Sequence, residues 1–216
     1  MSISHETIYR SLFIQTRGVL REELKKHLRT ERMFRRSKNH KVATRGQITD
    51  AISIRERPAE VEDRAVPGHW EGDLIVGANN SAVATLVERH SRFTLLCKVK
   101  NKAAVAVVQA LTSQMQALPR AVSKSLTWDR GQELSAHKTF SLATDMAVYF
   151  CDPSSPWQRG SNENTNGLLR QYFPKGTSLC GFSQTELNDI AEKLNTRPRK
   201  TLGFKTPAQV LQDVLQ

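Results

Sequence analysis

The tightest constraint on the fold is a change of period that begins at His69. Residues 70–77, 82–88 and 93–100 are three short β-rich runs, separated by Gly/Asn/Ser and by an Arg-His-Ser-Arg turn. That spacing predicts three consecutive antiparallel strands. Residues 102–118 then repeat apolar side chains at helical spacing (Val105, Val108, Leu111, Met115, Leu118) and stop before Pro119, which predicts an amphipathic helix. A strand over 125–128, a helix over 137–146 and a strand over 148–151 follow. After the Pro-Ser-Ser-Pro turn at 153–156, helices are predicted over 161–172, over 185–195 before Arg197-Pro198, and over 206–215, with Pro207 at a helix-starting position.

The order β-β-β-α-β-α-β-α belongs to the α/β class. It describes a ribonuclease H-like layout, a mixed five-stranded sheet with flanking helices, over residues 68–216. In front of it lies a basic segment, mostly helical or extended. Short helices are predicted over 6–13 and 21–30, and an extended, mostly exposed linker over 32–67 ends at Pro67-Gly68. Charge is concentrated here: residues 1–68 carry 15 basic and 9 acidic side chains, and the stretch 17–45 holds 11 Lys/Arg against 3 Glu. The whole chain has 32 Lys and Arg against 21 Asp and Glu, a formal charge of +11 on an otherwise ordinary composition. Such a surplus points first to a polyanionic partner, usually nucleic acid. Arg29, Arg35 and Arg36 in the densest stretch are candidates for backbone contact, the alternative being a solvated linker.

Several classes fall away. The longest apolar run is residues 103–108, far below the roughly 20 residues a membrane helix needs. Residues 1–10 have no apolar signal core, and Cys97, Cys151 and Cys180 form no CxxC pair, so neither a zinc finger nor a disulfide framework is expected. There is no GxxxxGK[ST] phosphate loop. The expectation is a reduced, soluble, cytoplasmic protein.

Three acidic residues stand in awkward places. Asp73 lies inside the first strand, where a charge must be desolvated. Asp129 follows Leu126-Thr127-Trp128 at the mouth of the fourth strand, and Glu163 lies in the first turn of the next helix after Trp157-Gln158-Arg159-Gly160. Taken singly, Asp129 before Arg130-Gly131 also fits a turn, and Glu163 also fits a helix N-terminus. In a ribonuclease H-like layout the first and fourth strands are neighbours and that helix crosses their ends, so the three carboxylates converge. Such a cluster repels itself unless cations sit in it, and hard oxygen ligands select Mg²⁺ or Mn²⁺. Two such ions about 4 Å apart serve in-line phosphoryl displacement.

Longer blocks carry a resemblance. They are His69-Trp70-Glu71-Gly72-Asp73-Leu74-Ile75-Val76-Gly77, Thr127-Trp128-Asp129-Arg130-Gly131-Gln132-Glu133, Ser155-Pro156-Trp157-Gln158-Arg159-Gly160 running through Asn162-Glu163-Asn164 to Phe173-Pro174-Lys175-Gly176-Thr177, and Arg197-Pro198-Arg199-Lys200-Thr201-Leu202-Gly203. Thirty-three residues separate Asp129 from Glu163. The chain resembles the insertion sequence 30 (IS30) family of transposases, in the group of DDE transposases and retroviral integrases. The resemblance implies an integrase-type catalytic core that binds two Mg²⁺ or Mn²⁺ ions on Asp73, Asp129 and Glu163. It implies nicking of element ends in DNA by water and attack of the freed 3′-hydroxyl on target DNA. Concerted joining of two ends fits a homodimer, and the family implies a bacterial, nucleoid-associated setting. Ile3-Ser4-His5-Glu6-Thr7-Ile8-Tyr9 is similar to the last helix of a helix-turn-helix region. Residues 1–15 are therefore read as a remnant of that region and 16–67 as a basic linker.

Arg130, Arg159, Arg170 and Lys175 are placed near the carboxylates in sequence and are candidates for holding phosphates; Asn166 lies on the Glu163–Arg170 helical face. Trp128 and Trp157 are expected in the core or wall, and His69, His137 and Cys151 in structural roles. Two other readings share these residues: a metal-dependent nuclease of the same fold, and a non-catalytic DNA-binding remnant. The charge map makes one quantity measurable by fluorescence anisotropy. Duplex affinity is expected to fall with salt at a log–log slope of about −0.9 per phosphate neutralised, and deleting residues 1–68 is expected to flatten it; an unchanged slope would make the basic third only a linker.

Overall fold

The computed structural model describes residues 48–61, 64–153 and 155–216. The helices expected over 6–13 and 21–30, and Arg29, Arg35 and Arg36, lie outside the described residues. The strands are β1 (His69–Val76), β2 (Ala82–Glu88), β3 (Thr94–Lys98), β4 (Ser125–Trp128) and β5 (Ala147–Phe150). The helices are α1 (Ala104–Gln116), α2 (His137–Thr144), α3 (Gly160–Leu169), α4 (Gln184–Asn195) and α5 (Pro207–Leu215). One sheet holds all five strands in the order β3-β2-β1-β4-β5. The first three pair antiparallel, while β4 joins β1 and β5 joins β4 in parallel through the helical crossovers α1 and α2. This is the ribonuclease H-like arrangement expected.

The sheet's two faces build two cores. Trp70, Leu86, Leu126, Trp128, Val148 and Phe150 pack under α1 and α2, whose Val107, Val108, Leu111, Met115 and Phe140 face them. On the other side Ile75, Val83 and Leu96 meet Leu169 and Phe173 at the end of α3 and Leu187, Ile190 and Leu194 of α4. The period-2 alternation of β1 divides them: Trp70 goes to one face, while Glu71, Asp73 and Ile75 go to the side of α3.

Boundary differences from the sequence reading have local causes. α2 stops at Thr144 because Asp145 takes a left-handed conformation at φ 58. α3 ends three residues early, where Tyr172 and Phe173 both donate to the Leu169 carbonyl before Pro174. α4 and α5 begin in capping boxes, Ser183 with Glu186 and Thr206 with Gln209. Part of the stretch expected to be an exposed linker lies along β5 instead. Ser53 bridges Phe150, the Phe150 amide donates to the Ile52 carbonyl at 2.9 Å, and Ile54 and Val61 are buried. A deletion that removes only the basic segment therefore ends before residue 43, where the second compact unit begins.

One glycine is required by packing. A Cβ on Gly72 would stand 2.3 Å from Cζ3 of the buried Trp128 ring. Gly72→Ala is expected to lower stability by about 1–3 kcal/mol through overpacking. For a domain of this size that is a fall of about 2–4 °C in Tm per kcal/mol, read by thermal melting; an unchanged Tm would show that Trp128 moves freely.

Candidate active site

Strand register decides where the two aspartates stand. β1 and β4 run parallel with Glu71 opposite Thr127. Asp73 and Asp129 each lie two residues farther along, so the pleat brings both to the same level on the α3 side of the sheet. Each carboxylate is held by the backbone beside it. Asp73 Oδ1 accepts from the Leu74 amide at 2.9 Å, and Asp129 Oδ1 accepts from the Gly131 amide at 2.7 Å.

The other oxygen of each faces one guanidinium. Arg159 Nη1 lies 3.3 Å from Asp73 Oδ2, and its Nη2 lies 3.6 Å from Asp129 Oδ2. Arg159 Nη1 also donates to the Gly72 carbonyl at 2.9 Å, and the side chain is only 12% exposed. Asn166 Nδ2 donates to Asp73 Oδ2 at 3.1 Å. Burial pushes the Asp73 carboxyl above its ordinary range; Arg159 opposes the shift and Asp129 adds to it. Burial also works against the charge of Arg159, yet Asp73 and Asp129 together hold its guanidinium above the ordinary value. The arrangement is a pair of like charges held at a short distance by a cation shared between them.

What carries α3 to this point is a buried carboxylate the sequence reading missed. Glu71, at 0% exposure, accepts from Arg89 Nη1 at 2.7 Å and from the Asn162 amide at 2.9 Å. Asn162 Nδ2 donates to the Glu71 carbonyl at 2.8 Å and to the Thr85 carbonyl at 3.3 Å. Thr85 Oγ1 in turn lies 3.1 Å from Asn162 Oδ1 and 3.2 Å from the Asp73 carbonyl. The first turn of α3 is thereby locked across β1 and β2. The available signal was Glu71 itself, a second acid two residues before Asp73 in the same strand.

The expected site residues separate into groups. Asp73, Asp129, Arg159 and Asn166 come together. Glu163 lies on the first turn of α3 and is exposed; among the described residues no group of three acidic, histidine or cysteine side chains is drawn close enough to hold a metal ion. Arg130 is exposed and donates to the Cys151 carbonyl at 3.1 Å. Arg170 follows α3 and reaches the Val76 carbonyl at the end of β1 at 3.4 Å, and Lys175 is exposed after Pro174. Trp128 is core as expected, but Trp157 is not a wall residue: it is 70% exposed beside Arg159. His69 meets Ser125 Oγ at 2.8 Å and His137 stands edge-on to Phe150, both buried. Burial pushes the Cys151 thiol up to about 11, so it stays protonated at neutral pH.

The sequence matches the family "Integrase core domain" over residues 63–156, a span that includes Asp73 and Asp129 and stops short of Glu163. It is 52% identical over 216 residues to a transposase for insertion sequence element IS1086 from Cupriavidus metallidurans, covering 100% of this chain and 64% of that protein. It is 48% identical over 215 residues to the transposase InsI for insertion sequence element IS30A of Escherichia coli, covering 98% of this chain and 56% of that protein. A transposase for IS4351 from Bacteroides fragilis is 34% identical over 214 residues, covering 99% and 65%. The chain thus spans between half and two thirds of the length of these relatives. Among the described residues no helix is long and apolar enough to cross a membrane.

The electrostatics make Asp73 a stability liability at neutral pH. Its folded-state pKa lies above the ordinary 3.8, so its ionisation costs nothing below that value, costs progressively more as pH rises from there, and reaches its full cost above the folded value. Asp73→Asn removes the cost. The variant is expected to melt above the wild type at pH 7, with the gap closing as pH falls toward 4. A wild type that melts higher at pH 7 would show that the Arg159 ion pair outweighs burial.

Proposed function

We propose that, across the length it shares with these relatives, the chain is a DDE transposase of the IS30 type and cleaves and rejoins phosphodiester bonds of double-stranded DNA at Asp73, Asp129 and Glu163. The observation that carries this reading is the pair of aspartates fixed at one level on neighbouring strands around a shared cation position. A sheet does not gather two carboxylates there for stability, because burial raises the pKa of Asp73, and Asp129 adds to the shift against the pull of Arg159.

Integrase cores use divalent metal in general. Two donors of the set fit one: Asp73 Oδ2 and Asp129 Oδ2 are hard oxygen ligands converging on one guanidinium, and Glu163, exposed on the first turn of α3, would supply the third. A pair of Mg²⁺ or Mn²⁺ ions held there supplies Lewis acidity and charge neutralisation for in-line displacement at phosphorus. The protein's own residues prepare the site. Backbone amides of Leu74 and Gly131 fix the two carboxylates in rotation, and Asn166 orients Asp73. Arg159 holds positive charge between the aspartates and keeps their repulsion from opening the site. Glu71 and Asn162 hold α3, and with it Glu163, against β1.

Arg130, Arg170 and Lys175 carry positive charge around the rim, where they hold backbone phosphates of bound DNA. Arg29, Arg35 and Arg36 of the basic segment are further candidates for backbone contact. Hydrolysis of the bond at an element end leaves a 3′-hydroxyl and a 5′-phosphate. That 3′-hydroxyl then attacks a target phosphodiester, so one phosphodiester is exchanged for another without a nucleotide. Concerted joining of two ends is served by a homodimer, working on DNA in the bacterial cytoplasm.

The direct test is a labelled duplex carrying the DNA that flanks this reading frame, incubated in Mg²⁺ and in Mn²⁺ with wild type, Asp73→Asn and Glu163→Gln. Metal-dependent nicking and joining is expected for the wild type, with a loss of at least about 10³-fold in either variant. Nicking without any joining would favour a plain nuclease. No nicking, from a chain that binds DNA and melts cooperatively, would favour a DNA-binding remnant.

A further inference from the structure

The first turn of α3, which follows Arg159, also borders a pocket of about 270 Å³ that nothing described so far uses. Three arginines from distant parts of the chain line it: Arg64 ahead of β1, Arg92 in the β2–β3 turn, and Arg199 between α4 and α5. Ser161, Asn164 and Thr201 add short polar side chains, and no carboxylate lines it among the described residues. We propose that this pocket seats a phosphodiester group of the DNA backbone, flanking the bond that reacts at Asp73 and Asp129.

The arginines are held in place rather than left to solvent. The Arg64 carbonyl accepts from His90 Nδ1 at 2.8 Å, Arg92 Nη1 donates to Ser161 Oγ, and Arg199 Nη2 donates to the Leu194 carbonyl at 3.2 Å. The Arg199 Nε is buried without a hydrogen-bond partner. The two buried acids nearest the pocket are engaged elsewhere. Glu71 accepts from Arg89 and from the Asn162 amide, and Glu88 accepts from the amides of Gly68 and Ser91 and from Ser91 Oγ. Like charges crowded in this way want an anion. Burial lowers the pKa of Arg92, with Arg64 adding to the effect and Glu71 and Glu88 opposing it; burial lowers that of Arg199, with Arg197 and Arg92 adding to it. Guanidinium groups match the spacing of phosphate oxygens, and small hydroxyl and amide groups complete the shell.

Position favours a DNA phosphate over a free one. Ser161 follows Arg159 by two residues and Asn164 follows Glu163 by one, so the turn that carries Arg159 to the aspartates also presents the pocket. A strand whose reacting phosphate lies at the aspartates passes this opening. The inference rests on the DNA-cleaving reading above and adds to it a fixed anchor for the flanking strand. It also gives a use to Arg199 and Thr201, which lie in the last of the four sequence blocks and have no part in the carboxylate site.

The test measures duplex affinity of the full chain against salt concentration, without divalent metal, for the wild type, Arg199→Gln and Thr201→Glu. Thr201 is exposed, so its substitution places a carboxylate at the pocket rim without disturbing the core. Each variant is expected to bind about tenfold more weakly and to flatten the log–log salt slope by about 0.9, one phosphate contact. Melting in inorganic phosphate is run beside it. Slopes equal to wild type in both variants overturn the assignment and leave the carboxylate chemistry to its own nicking assay. A wild-type Tm rise in phosphate that both variants lose, with duplex slopes unchanged, identifies a free-phosphate site and also overturns it. A wild type with no duplex affinity overturns this inference and the DNA-cleaving function together.

Discussion

A carboxylate with no exposure to water, Glu71, is the contact on which the rest of this site depends. It sits in the middle of the sheet and is satisfied by one cation, Arg89, and one backbone amide, that of Asn162. A buried charge left without partners costs several kcal/mol, so this pair of contacts is strongly determined. Because one of the partners is the α3 backbone, meeting the charge of Glu71 also fixes the start of α3. Arg159 before it is then carried to Asp73 within β1 and Asp129 just past β4, and Glu163 lies on the same first turn of α3. Asn162 reinforces the joint by closing on the carbonyls of both β1 and β2.

The aspartates are a contrasting case. Glu71 is buried and fully served, whereas Asp73 is pushed up in pKa and shares its guanidinium with Asp129. Charges arranged against their own stability mark sites selected for chemistry. The same division applies to the basic side chains. Arg89 is consumed by structure, Arg159 by the aspartates, and Arg64, Arg92 and Arg199 converge on a pocket without a lining acid. Among the described residues these three arginines thus form a positive cluster separate from the guanidinium shared by the aspartates.

The fold was legible because its signals are local. β-rich runs bounded by turn residues marked β1 to β3, the Val108–Leu111–Met115 spacing marked α1, and Asp73 stood out because an acid inside an apolar strand violates its neighbours. Parallel pairing of β1 with β4 followed from the order of elements and brought Asp129 to Asp73 as expected. What escaped depends on contacts between residues far apart in the chain. Asn162 meets Glu71 across 91 positions, and nothing in a helix start reading Ser-Asn-Glu-Asn separates the buried Asn162 from exposed Asn164. Ile54 and Val61 were too sparse within a charged stretch to announce that they pack on the sheet, yet both are buried. Trp157 was misplaced because a large aromatic is usually inside, and its 70% exposure is set by the tight turn that carries Arg159 inward. The arginine pocket draws on four separate segments, at Arg64, Arg92, the first turn of α3 and Arg199, and their meeting is not written in any one of them.

The central claim is that Asp73 and Asp129 form one cation site. The measurement that meets it most directly is Mn²⁺ binding followed by electron paramagnetic resonance, on wild type, Asp73→Asn and Asp129→Asn, with no DNA present. Saturable binding by the wild type that is lost in both variants is the result the structure leads to, because each carboxylate contributes one oxygen to the same position. Binding of equal strength in all three proteins would contradict it and place the ion elsewhere in the molecule.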